Sequence, residues 1–217
     1  GEQSLQATIV GLAQDFIGSN NIPLLVPDGQ FGTRLQGGKD CASARYIFTR
    51  LQKITRTIYH REDDEILDYK DDDGFPVEPF FYVPVIPMVL VNGTAGIGTG
   101  FATNIPNYSP WDIIANLKRL MAGDSLTPMK PWYHGFLGDI VEKEKDKFAS
   151  IGKFTVVNEM LVQIRELPIG YWTHHYKQKL EELMANDLVI NFREHHTDTT
   201  VDFDVIFHPE VLRTWQS

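Results

Sequence analysis

Gln30-Phe31-Gly32-Thr33-Arg34-Leu35-Gln36-Gly37-Gly38-Lys39-Asp40 leads, one cysteine on, into Ala42-Ser43-Ala44-Arg45-Tyr46-Ile47-Phe48-Thr49. The first half closes a glycine-, proline- and asparagine-rich stretch, 20–38, that reads as loop or extended chain. The second half reads as a helix starting near Ser43, with Ile47, Leu51, Ile54 and Ile58 as its apolar stripe. On such a helix Tyr46 lies off the stripe, beside Arg45, and shares a face with Arg50 and Lys53. A phenol of pKa about 10 attacks poorly unless its anion is stabilised or its proton removed. Guanidinium and ammonium groups and helix-end amides can stabilise that anion and hold a phosphate beside it. Two readings stay open at this point. Tyr46 is either a phosphodiester-attacking nucleophile or an amphipathic surface residue among bases.

Outward from this stretch, residues 4–17 place Leu5, Ile9, Leu12, Ala13, Phe16 and Ile17 at three- and four-residue spacing ahead of Gly18, the pattern of an amphipathic helix. Residues 83–91 form a β-rich apolar run, followed by glycines at 93, 96, 98 and 100. Ser109-Pro110-Trp111-Asp112 is a helix start, with serine as N-cap and proline at the first helical position; Ile113, Ile114, Leu117, Leu120 and Met121 supply its apolar face. Beyond it, β-prone runs at 136–141, 154–157 and 161–164 precede a helix at 173–185 and strands at 188–192 and 200–207. The class is α+β, with a domain border near 100–108 that divides the chain into 1–105 and 106–217.

The chain has 217 residues, a mass of 24.7 kDa and 42% hydrophobic content, enough for one or two domains with a real core. Its single cysteine, Cys41, cannot pair within the chain, so nothing points to an oxidising compartment. The 83–91 run holds two prolines and is far shorter than the roughly 20 residues of a membrane span. The chain opens without methionine in a helix-like stretch, so it is expected to be a piece of a larger protein. The net charge of −9 argues against a generic nucleic-acid binder when taken as an average. Resolved along the chain it is uneven. Residues 1–61 are net positive, with six bases and only Asp40 between 34 and 56, and residues 62–89 carry nine acids against Lys70. Either a positive field beside an acidic loop or two solvated faces accounts for that.

The motif residues resemble the active-site region of the type IIA DNA topoisomerase family, in its eukaryotic-type branch. The similarity runs through Gly29-Gln30-Phe31-Gly32-Thr33-Arg34, Gly37-Gly38-Lys39-Asp40, Ala42-Ser43 and Arg45-Tyr46-Ile47-Phe48-Thr49. It continues through Ile86-Pro87-Met88-Val89-Leu90-Val91-Asn92-Gly93, Gly96-Ile97-Gly98-Thr99-Gly100, Ile105-Pro106-Asn107, and Glu166-Leu167-Pro168 ahead of Trp172-Thr173, in the family's order. The resemblance implies a winged-helix (catabolite-activator-like) domain over 1–105, truncated at its N-terminal side and carrying the active-site tyrosine. It implies a mixed α/β tower domain over 106–217, truncated at its C-terminal side. Tyr46 would attack a DNA phosphodiester to leave a 5′-phosphotyrosyl bond, and Arg45 would stabilise the charge on phosphorus. Ile97 would intercalate and bend the duplex, an apolar wedge. Lys39, Ser43 and Arg34 would contact phosphate. The implied partners are double-stranded DNA and, in the full-length parent, a second copy of the chain, with no membrane. Mg²⁺ and ATP would serve the parent from outside this piece, which alone would be inactive.

Two departures stand out: Ala44 replaces the proline often found before Arg-Tyr, and Gln36 replaces a common histidine. Residues 101–106, Phe-Ala-Thr-Asn-Ile-Pro, have a bacterial-gyrase flavour, a mixture that fits a divergent protist or a large DNA virus; the location would be the nucleus in the first case and host cytoplasm or nucleus in the second. A non-catalytic DNA-binding or scaffold module of the same fold is the alternative.

The remaining motifs read as structure. The glycines at 96–100 cannot open a dinucleotide loop, because Pro106 and Pro110 interrupt the helix such a loop needs behind it. Asp202 and Asp204 flank Phe203 on one solvated strand face, and Asp71-Asp72-Asp73-Gly74 is a surface turn lacking later calcium ligands. Adjacent His174-His175 and His195-His196 diverge too far to share zinc. Cys41 reads as a small, half-buried thiol.

Overall fold

A computed structural model describes residues 1–216. The fold mixes helices with sheets whose strand pairings are all antiparallel among the described residues. Helix α1 (Glu2–Ala13) ends earlier than the periodicity predicts. The Asn20 side-chain amide donates to the carbonyls of Gly11 (2.6 Å) and Gln14 (2.9 Å), satisfying acceptors that the last turn leaves open. Phe16 leaves the helix and meets the Trp172 ring edge-on at 5.6 Å.

The predicted helix from Ser43 does not form. Residues 44–46 make a single 3₁₀ turn, residues 48–52 run extended, and only α2 (Thr55–Ile58) is helical. The reason is a partner remote in sequence: Phe48 exchanges hydrogen bonds with Asp28 (2.9 and 3.2 Å), Val26 donates to Arg50 (2.8 Å) and Gln52 donates to Leu24 (3.0 Å). Extended pairing satisfies these backbone groups as fully as a helix would, and it suits β-branched residues such as Ile47 and Thr49.

An acidic hairpin follows, β1 (Tyr69–Asp72) and β2 (Phe75–Pro79), turned at Asp73-Gly74 with positive φ at both positions. The 83–91 run is not a strand either. Its prolines break it, and after Pro87 the chain makes the helical turn α3 (Met88–Val91). A second hairpin comes next, β3 (Thr94–Gly98) with β4 (Phe101–Ile105), in place of a simple glycine turn. Helix α4 (Pro110–Met121) begins as its cap predicts and turns Ile113 and Leu117 onto Ile58, Met88 and Val91, while Leu120 and Met121 face outward.

The rest comprises the hairpin β5 (Asp139–Glu144) and β6 (Lys147–Ile151), and a four-stranded sheet with a helix on one face. The sheet holds β7 (Lys153–Val156), β8 (Leu161–Glu166), β9 (Val189–Glu194) and β10 (Phe203–Phe207) in the order β7-β8-β10-β9. Central β10 buries Phe203, Val205 and Phe207 on alternate positions, against Leu180 of α5 (Thr173–Ala185) and Leu212 of α6 (Pro209–Gln216). Asparagines join the parts. Asn21 donates to the carbonyls of Val91 (2.9 Å), Tyr108 (3.1 Å) and Trp132 (3.0 Å) and accepts from the His134 amide (2.9 Å).

Candidate functional site

The loop of residues 29–42 is held from three sides. From α1's end, the Gln14 amide donates to Phe31 O (2.9 Å). Within the loop, Thr33 donates to both carboxylate oxygens of Asp40, from its amide (2.8 Å) and its hydroxyl (2.5 Å), and Gly38 N–H returns to Thr33 O (2.9 Å). Gly32 and Gly38 pass so closely that a Cβ on Gly32 would stand 2.5 Å from Gly38 Cα. From the sheet side, Arg34 O accepts from Thr173 N–H (3.3 Å) and Leu35 O from His174 N–H (3.0 Å), and the Trp172 indole packs against Gly37. The Ala42 amide bonds to Gln30 O (2.9 Å), and the chain then emerges at Ser43.

At that exit the 3₁₀ turn lifts Tyr46 into solvent, 71% exposed, with its amide on Ser43 O (2.9 Å). The Arg45 guanidinium lies over the phenol ring at 5.7 Å. The Tyr46 hydroxyl makes no hydrogen bond among the described residues. A three-residue turn offers no helix macrodipole, so the helix-end amides expected beside the phenol are not there.

Those cations sort into two groups. Arg34, Arg50 and Arg56 are engaged by Glu166, Asp28 (3.5 Å) and Asp64 (2.7 Å). Lys39, Arg45 and Lys53, all exposed, have no ion-pair partner among the described residues, and of these Arg45 is the one in contact with Tyr46. Arg34, expected to contact phosphate, is buried against a carboxylate. It is 5% exposed, and its guanidinium forks onto Glu166, itself 1% exposed. Glu166 entered the sequence reading only within the Glu166-Leu167-Pro168 motif, with no partner assigned to it. The signal was a carboxylate at the end of a β-prone run, facing the core side where an unpaired charge would be costly.

Ile97 sits near the tip of the β3–β4 hairpin, 94% exposed, with Phe101 on the facing strand 84% exposed. Gly96 and Gly100 have nothing within 4 Å of a virtual Cβ, so the ribbon stands clear of the body. This hairpin is not followed directly by a helix, as a dinucleotide loop would require.

Elsewhere, Asp202 and Asp204 are tied to Arg165 of β8 (2.5 and 3.4 Å) more than they are solvated. His195 turns toward Asp204 (3.7 Å), while His196 packs tilted against Phe203 at 4.9 Å and burial holds its pKa below the usual histidine range. Burial and neighbouring Asp40 push the Cys41 thiol up, which disfavours the thiolate. Among the described residues no group of three or more His, Cys, Asp or Glu side chains could hold a metal ion. Nor is any described helix long and apolar enough to cross a membrane.

Residues 1–216 match the sequence model of a family described as the A-subunit family of DNA gyrase/topoisomerase IV. The chain is 52% identical to DNA topoisomerase 2 top-2 of Caenorhabditis elegans over 98% of its own length and 14% of that protein. It is 50% identical to DNA topoisomerase 2 of Drosophila melanogaster over 96% of its length and 15% of that protein. It thus spans about a seventh of these relatives. Among solved structures, it matches the crystal structure of the Plasmodium falciparum topoisomerase II DNA-binding, cleavage and re-ligation domain with a TM-score of 0.96 and 44% identity, over 100% of this chain and 30% of that one.

Proposed function

The chain belongs to the A-subunit family of DNA gyrase/topoisomerase IV, and on that premise we propose that Tyr46 is the DNA-cleaving nucleophile of a eukaryotic-type topoisomerase II core. The observation that carries this reading is the free, exposed Tyr46 hydroxyl beside unpaired Arg45, at the exit of a rigidly held loop. The Tyr46 oxygen attacks phosphorus, the bond from phosphorus to the 3′-oxygen breaks, and the products are a 5′-phosphotyrosyl ester and a 3′-hydroxyl. The same hydroxyl attacks back to reseal, regenerating Tyr46. Because the ester conserves the bond energy, cleavage and resealing need no cofactor turnover. ATP drives duplex passage in the parent, and ATP and Mg²⁺ are bound outside this chain.

Arg45 stabilises charge on the five-coordinate phosphorus, an interaction stronger in the transition state than in the ground state. Lys39 and Ser43 hold flanking phosphates. Ile97 enters the base stack from its thin hairpin and bends the duplex, and unstacking there is offset by the wider contact that bent DNA makes. Residues 1–105 form the winged-helix part and 106–217 the tower part, with α4 packed back on the first. The parent acts on double-stranded DNA as a homodimer, in the nucleus if the source is a cellular eukaryote. The piece alone does not relax supercoils.

The test is Tyr46→Phe in the full-length protein. Covalent protein–DNA adduct on a plasmid should vanish while non-covalent binding to the same DNA persists. Adduct formed by the Phe variant would reject Tyr46 as the nucleophile and leave the chain a DNA-binding module.

A further inference from the structure

We propose that the buried Arg34–Glu166 pair is a latch that positions Tyr46 for attack, a role that rests on the reading of Tyr46 as nucleophile. Every other ion pair among the described residues has at least one partner with appreciable exposure; this one is sealed on both sides. A buried pair contributes little stability compared with apolar residues of the same volume, so stability does not explain it. What it supplies is orientation, because a guanidinium fork on a carboxylate fixes two points at once.

The carboxylate is itself fixed. One Glu166 oxygen accepts from the Leu167 amide (2.8 Å) and the other from the Leu137 amide (3.3 Å), each in addition to an Arg34 nitrogen. Glu166 therefore holds the end of β8, the approach to β5 and the loop in one geometry. From Arg34 the constraint runs through its neighbour Thr33 to Asp40 by two hydrogen bonds, then through Ala42 N–H to Gln30 O, and reaches Ser43, whose carbonyl holds the Tyr46 amide. No link in this path is an exposed side chain, and each is a short backbone or carboxylate contact. Arg34 thus acts on the chemistry through the loop and never touches DNA. A nucleophile must be placed to within about an ångström, and a misplacement of that size costs on the order of 100-fold in rate.

The experiment uses the full-length protein with Arg34→Met, Glu166→Leu and the double variant, on one duplex containing a cleavage site. Adduct formation rate, DNA affinity with its salt dependence, and the unfolding midpoint are read separately. Each single change leaves a buried charge alone, so the midpoint drops and adduct formation slows by about 100-fold, with DNA affinity unchanged. In the double variant the midpoint returns toward the parent value, because both charges are gone, but adduct formation stays slow. Recovery of adduct formation together with the midpoint would reduce the pair to a structural contact and overturn the proposal. Arg34→Met weakening DNA binding and lowering the salt slope by about one, with Glu166→Leu doing neither, would also overturn it, by making Arg34 a phosphate ligand. Should the single variants fail to fold, the double variant alone decides. Tyr46→Phe on the same duplex separates the two ideas: adduct there rejects the nucleophile, whereas its loss beside a fast double variant rejects only the latch.

Discussion

Two glycine-rich segments present the side chains assigned to DNA, and they use glycine for opposite reasons. Around Tyr46, glycine is required by crowding: Gly32 and Gly38 nearly touch, and the Trp172 indole fills the space where a Gly37 side chain would be. Around Ile97, glycine borders open space, with nothing near Gly96 or Gly100. The first segment is a frame from which Tyr46 emerges exposed. The second is a thin ribbon that presents Ile97 and Phe101 to solvent. A nucleophile gains from being held still, since its rate depends on alignment. A wedge gains from slender, unpacked surroundings that can follow the groove as the duplex bends.

The contrast can be broken most directly at its stiff end. Gly37→Ala needs a left-handed φ of 62° and drives a methyl into Trp172, so urea unfolding of the 217-residue chain should show a loss of about 3 kcal/mol or more. Trp172→Ala removes the wall behind the loop and the edge contact with Phe16, and the same titration should show about 3 kcal/mol lost. Arg45→Ala should leave stability unchanged but slow adduct formation in the full-length protein by about 100-fold at constant DNA affinity. At the soft end, Ile97→Ala should change stability by under about 0.5 kcal/mol while reducing the DNA bend seen by energy transfer between duplex ends. Smallest of all, Gly96→Ala should be neutral, or stabilise by about 0.5 kcal/mol through the unfolded chain. If Gly96→Ala costs as much as Gly37→Ala, the two segments are mechanically alike and the contrast fails.

What the sequence could disclose followed the distance between partners. The helix opened by Ser109-Pro110 and the helix over 173–185 are specified by neighbours within a turn, and both form where expected. Ile47, Leu51, Ile54 and Ile58 are spaced as if on a helix, yet the segment's hydrogen-bond partners are residues 24–28, which no local window contains. Similarly, the apolar run at 83–91 has strand composition, but Pro84 and Pro87 deny it a ladder and it ends as one helical turn. At the site, the types of Tyr46 and Arg45 are readable as phosphate chemistry from the sequence, whereas the roles of Lys39 and Ile97 came only through the family resemblance. The burial of Arg34 on a carboxylate was not legible, for a plain reason. A basic residue in a basic stretch looks available, and the carboxylate that engages it stands 132 residues away.

Asn21 has a consequence for the order in which the molecule can be made. Its amide closes contacts with Val91, Tyr108 and Trp132, the last of them 111 residues further along the chain. On a ribosome adding about 5–20 residues per second, Asn21 waits roughly 6–22 s after its own synthesis before that knot can tie. During that interval α1 and the glycine loop have neither Trp132 nor Glu166 to close upon. Within these 217 residues, the setting of Tyr46 is therefore translated early and becomes native late.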